Sequence, residues 1–270
     1  MPAQTNPPPL VDSDPFAFSF VRMAPRPSRP RESGLTIVAD RGMGLARATD
    51  LIDAAGDHID FFKFGMGTYR LMRPDFIRRK IALLKEAGIA VFFAGDITEA
   101  AFMQGVSRQF YAEVKAFGAD AVEVSSAQVA MSLDDKCRLI GMAREAGLKV
   151  VAEAGQKGAE DWTKSGAYIA RQIEAYQKAG AWKVLVQADG ISEDVESNRW
   201  DVILNIAARF DIKDLIFQAK DGAAQKWYVG TFGNAVNLDV DDHQVIELEL
   251  ARRGIRGRHI FGLVGSLENN

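Results

Sequence analysis

From residue 34 onward, short apolar runs rich in Val, Ile and Phe alternate with longer segments whose apolar positions recur at helical spacing. Eight such runs are present: Leu35–Asp40, Ile59–Phe64, Ala90–Gly95, Ala121–Ser125, Lys149–Glu153, Lys183–Gln187, Leu215–Gln218 and Ala235–Leu238. Each predicts a strand. Between them, Pro74–Ala87 sets Phe76, Ile77, Ile81, Leu83 and Leu84 on an apolar helix face. Leu133–Ala146 opens after Ser132, a good N-cap, and closes at Gly147. Gly88, Gly118 and Gly147 each fall just before a strand, where a helix C-cap belongs. Residues 244–253 predict a last helix. Strict strand–helix alternation implies parallel pairing with right-handed crossovers. Eight units close a barrel. An open doubly wound sheet also holds eight strands, so the choice rests on where the polar residues fall.

They fall at the strand ends. Strand one ends in Asp40-Arg41, and strand two carries Lys63 within an aromatic run. Strand three leads into Asp96 and Glu99. Strand four holds Glu123 and then Ser125-Ser126, and strand five ends in Glu153, followed by Gly155, Gln156 and Lys157. The last three strands end in Gln187 and Asp189, Gln218 and Lys220, and Asn237 and Asp239. A charge embedded in an apolar strand costs several kcal/mol unless it is paired or binds a ligand. A buried ion pair explains one such residue, but a set repeated at one end of most strands predicts a pocket at the C-terminal mouth of a barrel. The predicted fold class is therefore α/β, a single (β/α)8 TIM-barrel domain over residues 34–270.

Residues 1–33 read as an irregular arm, since eight of the nine prolines lie in the first 30 positions. Within it, Phe16, Phe18 and Phe20 alternate and could dock on a neighbouring surface. The net charge of −3 gives no reason to expect nucleic acid or an anionic membrane as partner. The single cysteine, Cys137, excludes an intrachain disulfide and a cysteine zinc cluster. With no signal-peptide pattern and no long apolar run, a soluble, cytoplasmic protein is expected. A homo-oligomer is expected too, because barrels commonly associate.

The chemistry of the strand ends is bounded. Asp40, Glu123 and Glu153 are hard oxygen donors suited to Mg2+. Arg41, Lys63, Lys157 and Lys220 are cations for phosphate or carboxylate. Ser125, Gln187, Gln218 and Asn237 are the further polar contacts expected for substrate. Metal plus lysine suits an enolate-like carboxylate, so the residues point to proton or addition chemistry on a small phosphorylated acid. Other motifs are weaker. Gly42-Met43-Gly44 begins a dinucleotide fingerprint, but Arg47 holds the third glycine position and strand two ends in Lys63 in place of a ribose-binding acid. His58, His243 and His259 are scattered, which argues against a triad or zinc site. Cys137 reads as inert, and Arg252, Arg253, Arg256 and Arg258 read as a solvated or ion-paired surface, with anion binding as the minor alternative.

Six segments together resemble the phosphosulfolactate synthase family: GLTIVADRG (34–42), IDFFKFGMGT (59–68), AVEVS (121–125), the turn Glu153–Lys157, VNL (236–238) and RRGIRG (252–257). The resemblance implies a Mg2+-dependent barrel enzyme that adds sulfite to C3 of phosphoenolpyruvate, the entry to coenzyme M synthesis. It implies an aci-carboxylate stabilised by the metal, with Asp40, Glu123 and Glu153 on the metal side. Lys157 matches the family's proposed proton donor to C2, and Lys63 and Arg41 would neutralise the two anions. The chain departs from the pattern at Gln187 and Gln218, where the family has acids, and at Asp189, where it has arginine. Lys220 replaces proline, Asp96 replaces threonine and Ser126 replaces aspartate. Two alternatives follow: a related barrel enzyme using another nucleophile or another phosphorylated or sulfonated acid, and a non-catalytic relative of the plant heat-stress type with the arm as its contact.

Overall fold

The computed structural model describes residues 15–155, 165–193, 195–258 and 260–261. Eight strands run in chain order: β1 Thr36–Asp40, β2 Phe61–Phe64, β3 Ala90–Phe93, β4 Ala121–Val124, β5 Lys149–Ala154, β6 Lys183–Val186, β7 Leu215–Gln218 and β8 Asn237–Asp241. All neighbours are parallel, and β8 pairs back onto β1, so the sheet is a closed barrel. That settles the choice between barrel and open sheet. The helices are α1 Leu45–Ala55, α2 Pro74–Glu86, α3 Asp96–Met103, α4 Ser107–Ala116, α5 Leu133–Glu145, α6 Gly166–Ala179, α7 Trp200–Ala207, α8 Gly222–Phe232 and α9 Val245–Arg252.

The strands read as unbroken apolar runs because both of their faces are covered. Ile37, Phe61, Phe92, Ala121, Val151, Leu185 and Ile216 fill the barrel, whereas Val38, Phe62, Phe64, Phe93, Val122 and Val150 face the helices. Helix ends follow the local chemistry. The Ser132 Oγ accepts from the Asp135 N–H at 3.0 Å, the expected cap, and Pro74 occupies the first turn of α2, where its missing N–H costs nothing.

One strand differs from expectation. The eighth lies at Asn237–Asp241 and not at Ala235–Leu238. Leu238 and Val240 pack outward while the alternate residues Asp239 and Asp241 belong to the inward row. Two carboxylates on that row hid the strand from an apolar-run reading. They also mark the end of the barrel where charge gathers.

The opposite, N-terminal end is sealed by the arm. Arg26 donates to the carbonyls of Asn234 (2.7 Å) and Gly34 (2.8 Å) and pairs with Glu249 at 3.3 Å. Arg31 pairs with Asp60 at 2.9 Å, and Arg29 donates to the Ile59 carbonyl at 2.7 Å. Arg252 corrects the surface reading of its cluster: it is buried and donates to the carbonyls of Gly34, Leu35 (3.0 Å) and Val236 (2.9 Å). A guanidinium has five donors, which suits a ring of strand-end carbonyls. The prolines at 2, 7, 8 and 9 lie outside the described residues. Among the described residues no helix is long and apolar enough to cross a membrane.

Candidate active site

Side chains on the inward row at the C-terminal ends of β2, β4 and β8 converge. Lys63 follows inward-facing Phe61 by two positions, so its stem enters the barrel with its ammonium near the axis. It donates to Glu123 Oε2 at 2.7 Å and to Asp239 Oδ2 at 3.1 Å, with its Nζ 5.2 Å from the Phe92 ring centre. Lys220, just past β7, binds the other oxygen of Asp239 and lies 3.6 Å from Asp241. Arg41, just past β1, reaches Asp241 at 3.3 Å. Charge thus alternates from Glu123 through Lys63, Asp239, Lys220 and Asp241 to Arg41. The row runs from buried side chains to a guanidinium 59% exposed.

Burial alone would favour the neutral forms. It lowers the Lys63 pKa, but Asp239 and Glu123 more than offset it, so Lys63 stays a firmly held cation. Burial likewise raises the Asp239 carboxyl, and Lys220 and Lys63 bring it below the usual carboxylate range. Glu123 is further fixed by the Gly95 N–H at 3.0 Å. Gly95 has no room for a side chain, since a Cβ there would stand 2.7 Å from the Ser125 Cβ and 3.1 Å from Glu123 Oε1.

The structure redistributes the expected site. Asp40 is not with the others: it faces the helices, bound to Lys80 at 2.5 Å and accepting from the N–H groups of Gly42 (2.8 Å) and Met43 (2.7 Å). Strand alternation turns it outward, because inward-facing Ile37 is three positions earlier. Asn237 stands at the N-terminal end of β8 and ties strand starts together, accepting from Leu35 N–H and donating to the Lys213 and Leu215 carbonyls. Its removal from the mouth follows from the shifted strand. Ser125 donates to Glu99, whose carboxylate also holds the N–H groups of Ala127, Gln128 and Val129. Gln218 accepts from the Ala188 N–H at 3.3 Å, and the buried Gln187 Oε1 has no hydrogen-bond partner among the described residues. Glu153 is buried close enough to raise the Lys63 pKa. Lys157 lies outside the described residues.

Sequence reasoning placed Asp239 at a strand end without a role and passed over Asp241; it likewise named Glu99 only as a polar strand end, and it missed Lys80 and Lys136. The alternation Leu238-Asp239-Val240-Asp241 was the available signal for the first two. Lys136, on the buried face of α5, donates to Ser126 Oγ at 3.0 Å and stands 5.2 Å from the Tyr176 ring centre. Burial pulls its pKa down to about 8, against the pull of Glu153 and Glu99. The donor set expected for Mg2+ does not fit. Asp40 is on the far side of the strand, Glu123 is committed to Lys63 and Gly95, and no group of three or more His, Cys, Asp or Glu among the described residues could hold a metal ion.

Fold and site together define a (β/α)8 barrel with paired cations and carboxylates at its C-terminal mouth. Solved barrels resemble it in fold alone. The 3-hexulose-6-phosphate synthase of Salmonella typhimurium matches with a TM-score of 0.58 at 13% identity, covering 82% of this chain and 100% of that one. The orotidine 5'-phosphate decarboxylase of Pyrococcus horikoshii matches at 0.54 and 16%, covering 82% and 99%. Sequence is more specific. Residues 24–258 match the model of the (2R)-phospho-3-sulfolactate synthase (ComA) family, and the chain belongs to that enzyme family. It is 32% identical over 249 residues to the phosphosulfolactate synthase of Methanothermobacter thermautotrophicus, covering 89% of this chain and 96% of that protein. It is 25% identical over 272 residues to Protein HEAT-STRESS-ASSOCIATED 32 of Arabidopsis thaliana, covering 90% and 92%.

Proposed function

We propose that the protein is a carbon–sulfur lyase of the phosphosulfolactate synthase type, adding sulfite to phosphoenolpyruvate. The observation that carries the reading is Lys63 shared between Glu123 and Asp239 at the barrel mouth, with Lys220 on the same aspartate. Membership of the family supports it. The sulfite sulfur supplies its lone pair to C3 of phosphoenolpyruvate, and the C2–C3 π pair moves onto C2 and the carboxylate as an aci-carboxylate. A proton then adds at C2, and the phosphate ester stays intact. Two anions must meet, so cations set the barrier. Lys63, Lys220 and Arg41 neutralise them by exchanging a side-chain carboxylate for a substrate oxygen. Lys157 is assigned as proton donor from the family pattern. No step is routed through Mg2+, because Asp40 stands outside the pocket.

The test is a phosphorus NMR assay of the full chain with phosphoenolpyruvate and sulfite, beside Lys63→Met and Lys157→Ala. A new phosphate-ester resonance that both variants lose supports the assignment. A folded wild type that turns nothing over sinks it. A second reading has its own observation. Among the described residues the buried Gln187 Oε1 has no hydrogen-bond donor, and the sulfite dianion brings none. A nucleophile bearing N–H or O–H would satisfy it, and turnover with such compounds in place of sulfite would establish this variant of the chemistry.

A further inference from the structure

The Asp40–Lys80 ion pair is fully buried between the barrel and its helices. Lys80 comes from the inner face of α2, with its Nζ 5.2 Å from the ring centres of Phe62 and Phe64. The two side chains grip the turn between β1 and α1 from behind. Asp40 Oδ1 accepts from the N–H groups of Gly42 (2.8 Å) and Met43 (2.7 Å), and Asp40 Oδ2 takes the Lys80 ammonium at 2.5 Å. Lys80 closes the ring by donating to the Met43 carbonyl at 2.7 Å. The helix that follows supplies no side-chain cap of its own at Gly44, and the chain turns at Gly42 with φ +99°, a conformation that suits glycine. The same turn shows its other side to the barrel mouth. Arg41, Gly42 and Met43 line a cavity of about 330 Å3 together with Ala39, Asp241 and Asp242. Ala39 lies on the inward row, in register with Lys63 on one side and Asp241 on the other, so this cavity belongs to the mouth.

A buried ion pair is a poor device for stability alone. Taking both charges out of water costs about what their attraction returns, and apolar side chains of like volume often replace such a pair without loss. What this pair adds is geometry, because its hydrogen bonds fix three main-chain atoms of one turn. On the reading of the mouth as the site for a phosphorylated acid, we propose that Lys80 and Asp40 are positioning residues: they hold the β1–α1 turn so that Arg41 presents its guanidinium to an anionic group of the substrate in this cavity. Neither residue touches the substrate. Arg41 needs such a support. Its side chain is 59% exposed, and among the described residues it meets one carboxylate, that of Asp241 at 3.3 Å. Its direction is therefore set by the backbone it stands on. A displacement of about 1 Å in a group that meets the substrate is enough to cost about 10^2-fold in rate.

The test uses the full chain and two double variants, Asp40→Leu/Lys80→Met and Asp40→Asn/Lys80→Met, each with and without Arg41→Met. Removing both charges together leaves neither buried alone, and thermal unfolding confirms each fold. The asparagine amide keeps an oxygen that accepts from Gly42 and Met43, whereas leucine has none. Calorimetric titration reads the binding of phosphoenolpyruvate, and steady-state kinetics with sulfite read turnover. Asp40→Leu/Lys80→Met should bind phosphoenolpyruvate at least about tenfold more weakly, with KM raised more than kcat is lowered. Asp40→Asn/Lys80→Met should lie between it and the wild type. With Arg41→Met present, either exchange should change affinity by less than about twofold, because the turn then has no guanidinium to place. Folded variants that bind as the wild type does overturn the proposal. A loss that is the same with and without Arg41 also overturns it, since the pair would then be structural only. If Asp40→Leu/Lys80→Met does not fold, the asparagine variant decides by the same two criteria. A wild type that binds phosphoenolpyruvate without consuming sulfite removes the proposed reaction and leaves the positioning role standing; one that binds no phosphoenolpyruvate overturns both.

Discussion

At the N-terminal end of the barrel, Arg26, Arg31 and Arg252 are as deeply buried as Lys63 and Asp239 are at the C-terminal end. The two ends differ in what the charges hold. Arg252 gives its hydrogen bonds to the carbonyls of Gly34, Leu35 and Val236, and Arg26 gives two of its own to Gly34 and Asn234. Those acceptors are main chain, and no ligand can replace them without opening the sheet edge that the arm closes. Among the described residues Lys63 and Lys220 hold side-chain carboxylates alone, at a mouth that leads to the exposed Arg41. An incoming anion can take the place of a carboxylate on an ammonium. Arg26 and Arg31 also pair with carboxylates, those of Glu249 and Asp60, but there the arm covers the pairs. Burial of charge therefore does not separate structure from function in this barrel, whereas main-chain acceptors at one end and an open mouth at the other do.

Swapping one cation at each end breaks the comparison most directly. Lys63→Met should lower turnover by about 10^3-fold, the scale of losing one preorganised charge contact to a transition state. Its fold should persist with the smaller loss of stability, because Lys220 still pairs with Asp239 and the Gly95 N–H still holds Glu123. Arg252→Met should leave turnover per folded molecule unchanged and lower unfolding free energy by roughly 3–5 kcal/mol, the cost of breaking a buried ionic cluster. Urea denaturation and steady-state kinetics on both variants check this. If each variant loses both activity and stability to the same degree, the division between the two ends is wrong.

Lys220 sharpens the comparison with a smaller effect. Replaced by Met, it should raise the KM for the phosphorylated acid by about 10- to 100-fold while kcat falls less. It should also change the acid limb. Asp239 is held below the ordinary carboxylate range, so its contribution to stability is complete above that range and is lost as pH falls through the folded value. Without Lys220, burial weighs more heavily and that loss should begin at higher pH. An acid limb that does not move in pH titrations of Lys220→Met would show that Lys63 alone controls the aspartate.

Much of the barrel was legible because its strands are covered on both faces. Seven apolar runs mark their strands to within about two residues, and the caps at Ser132 and Gly147 follow from local chemistry alone. The eighth strand was misplaced because its inward row carries Asp239 and Asp241 where an apolar run would have continued. The site was legible only in part for the same reason. Strand alternation sends Lys63 inward and Asp40 outward, and a residue's position at a strand end says nothing about which face it takes until the strand phase is fixed. The sealing of the N-terminal end was not legible at all. Arginines spread from position 26 to 252 meet there only after the barrel closes.

Lys136 is a third kind of buried cation, and it gives the smallest and most specific test. Among the described residues its direct hydrogen-bond acceptor is a hydroxyl, Ser126 Oγ, and it has there neither the carbonyl ring of Arg252 nor the paired carboxylates of Lys63. Burial accordingly brings its pKa down to about 8. An unfolded lysine titrates near 10.4, so between those values the unfolded chain binds more protons than the folded one. Stability must then rise with pH across that window, and the folded state carries a penalty below it. Lys136→Met removes the titrating group and keeps most of the volume. At pH 7 the variant should be the more stable of the two by on the order of 1–2 kcal/mol, less what the lost bond to Ser126 contributed. The difference should shrink as pH is raised from 8 to 10, because the wild-type lysine sheds its charge there. Thermal unfolding of both proteins at intervals across that range measures it. A difference that stays constant with pH would place a compensating carboxylate on Lys136 and move this lysine into the same class as Lys63.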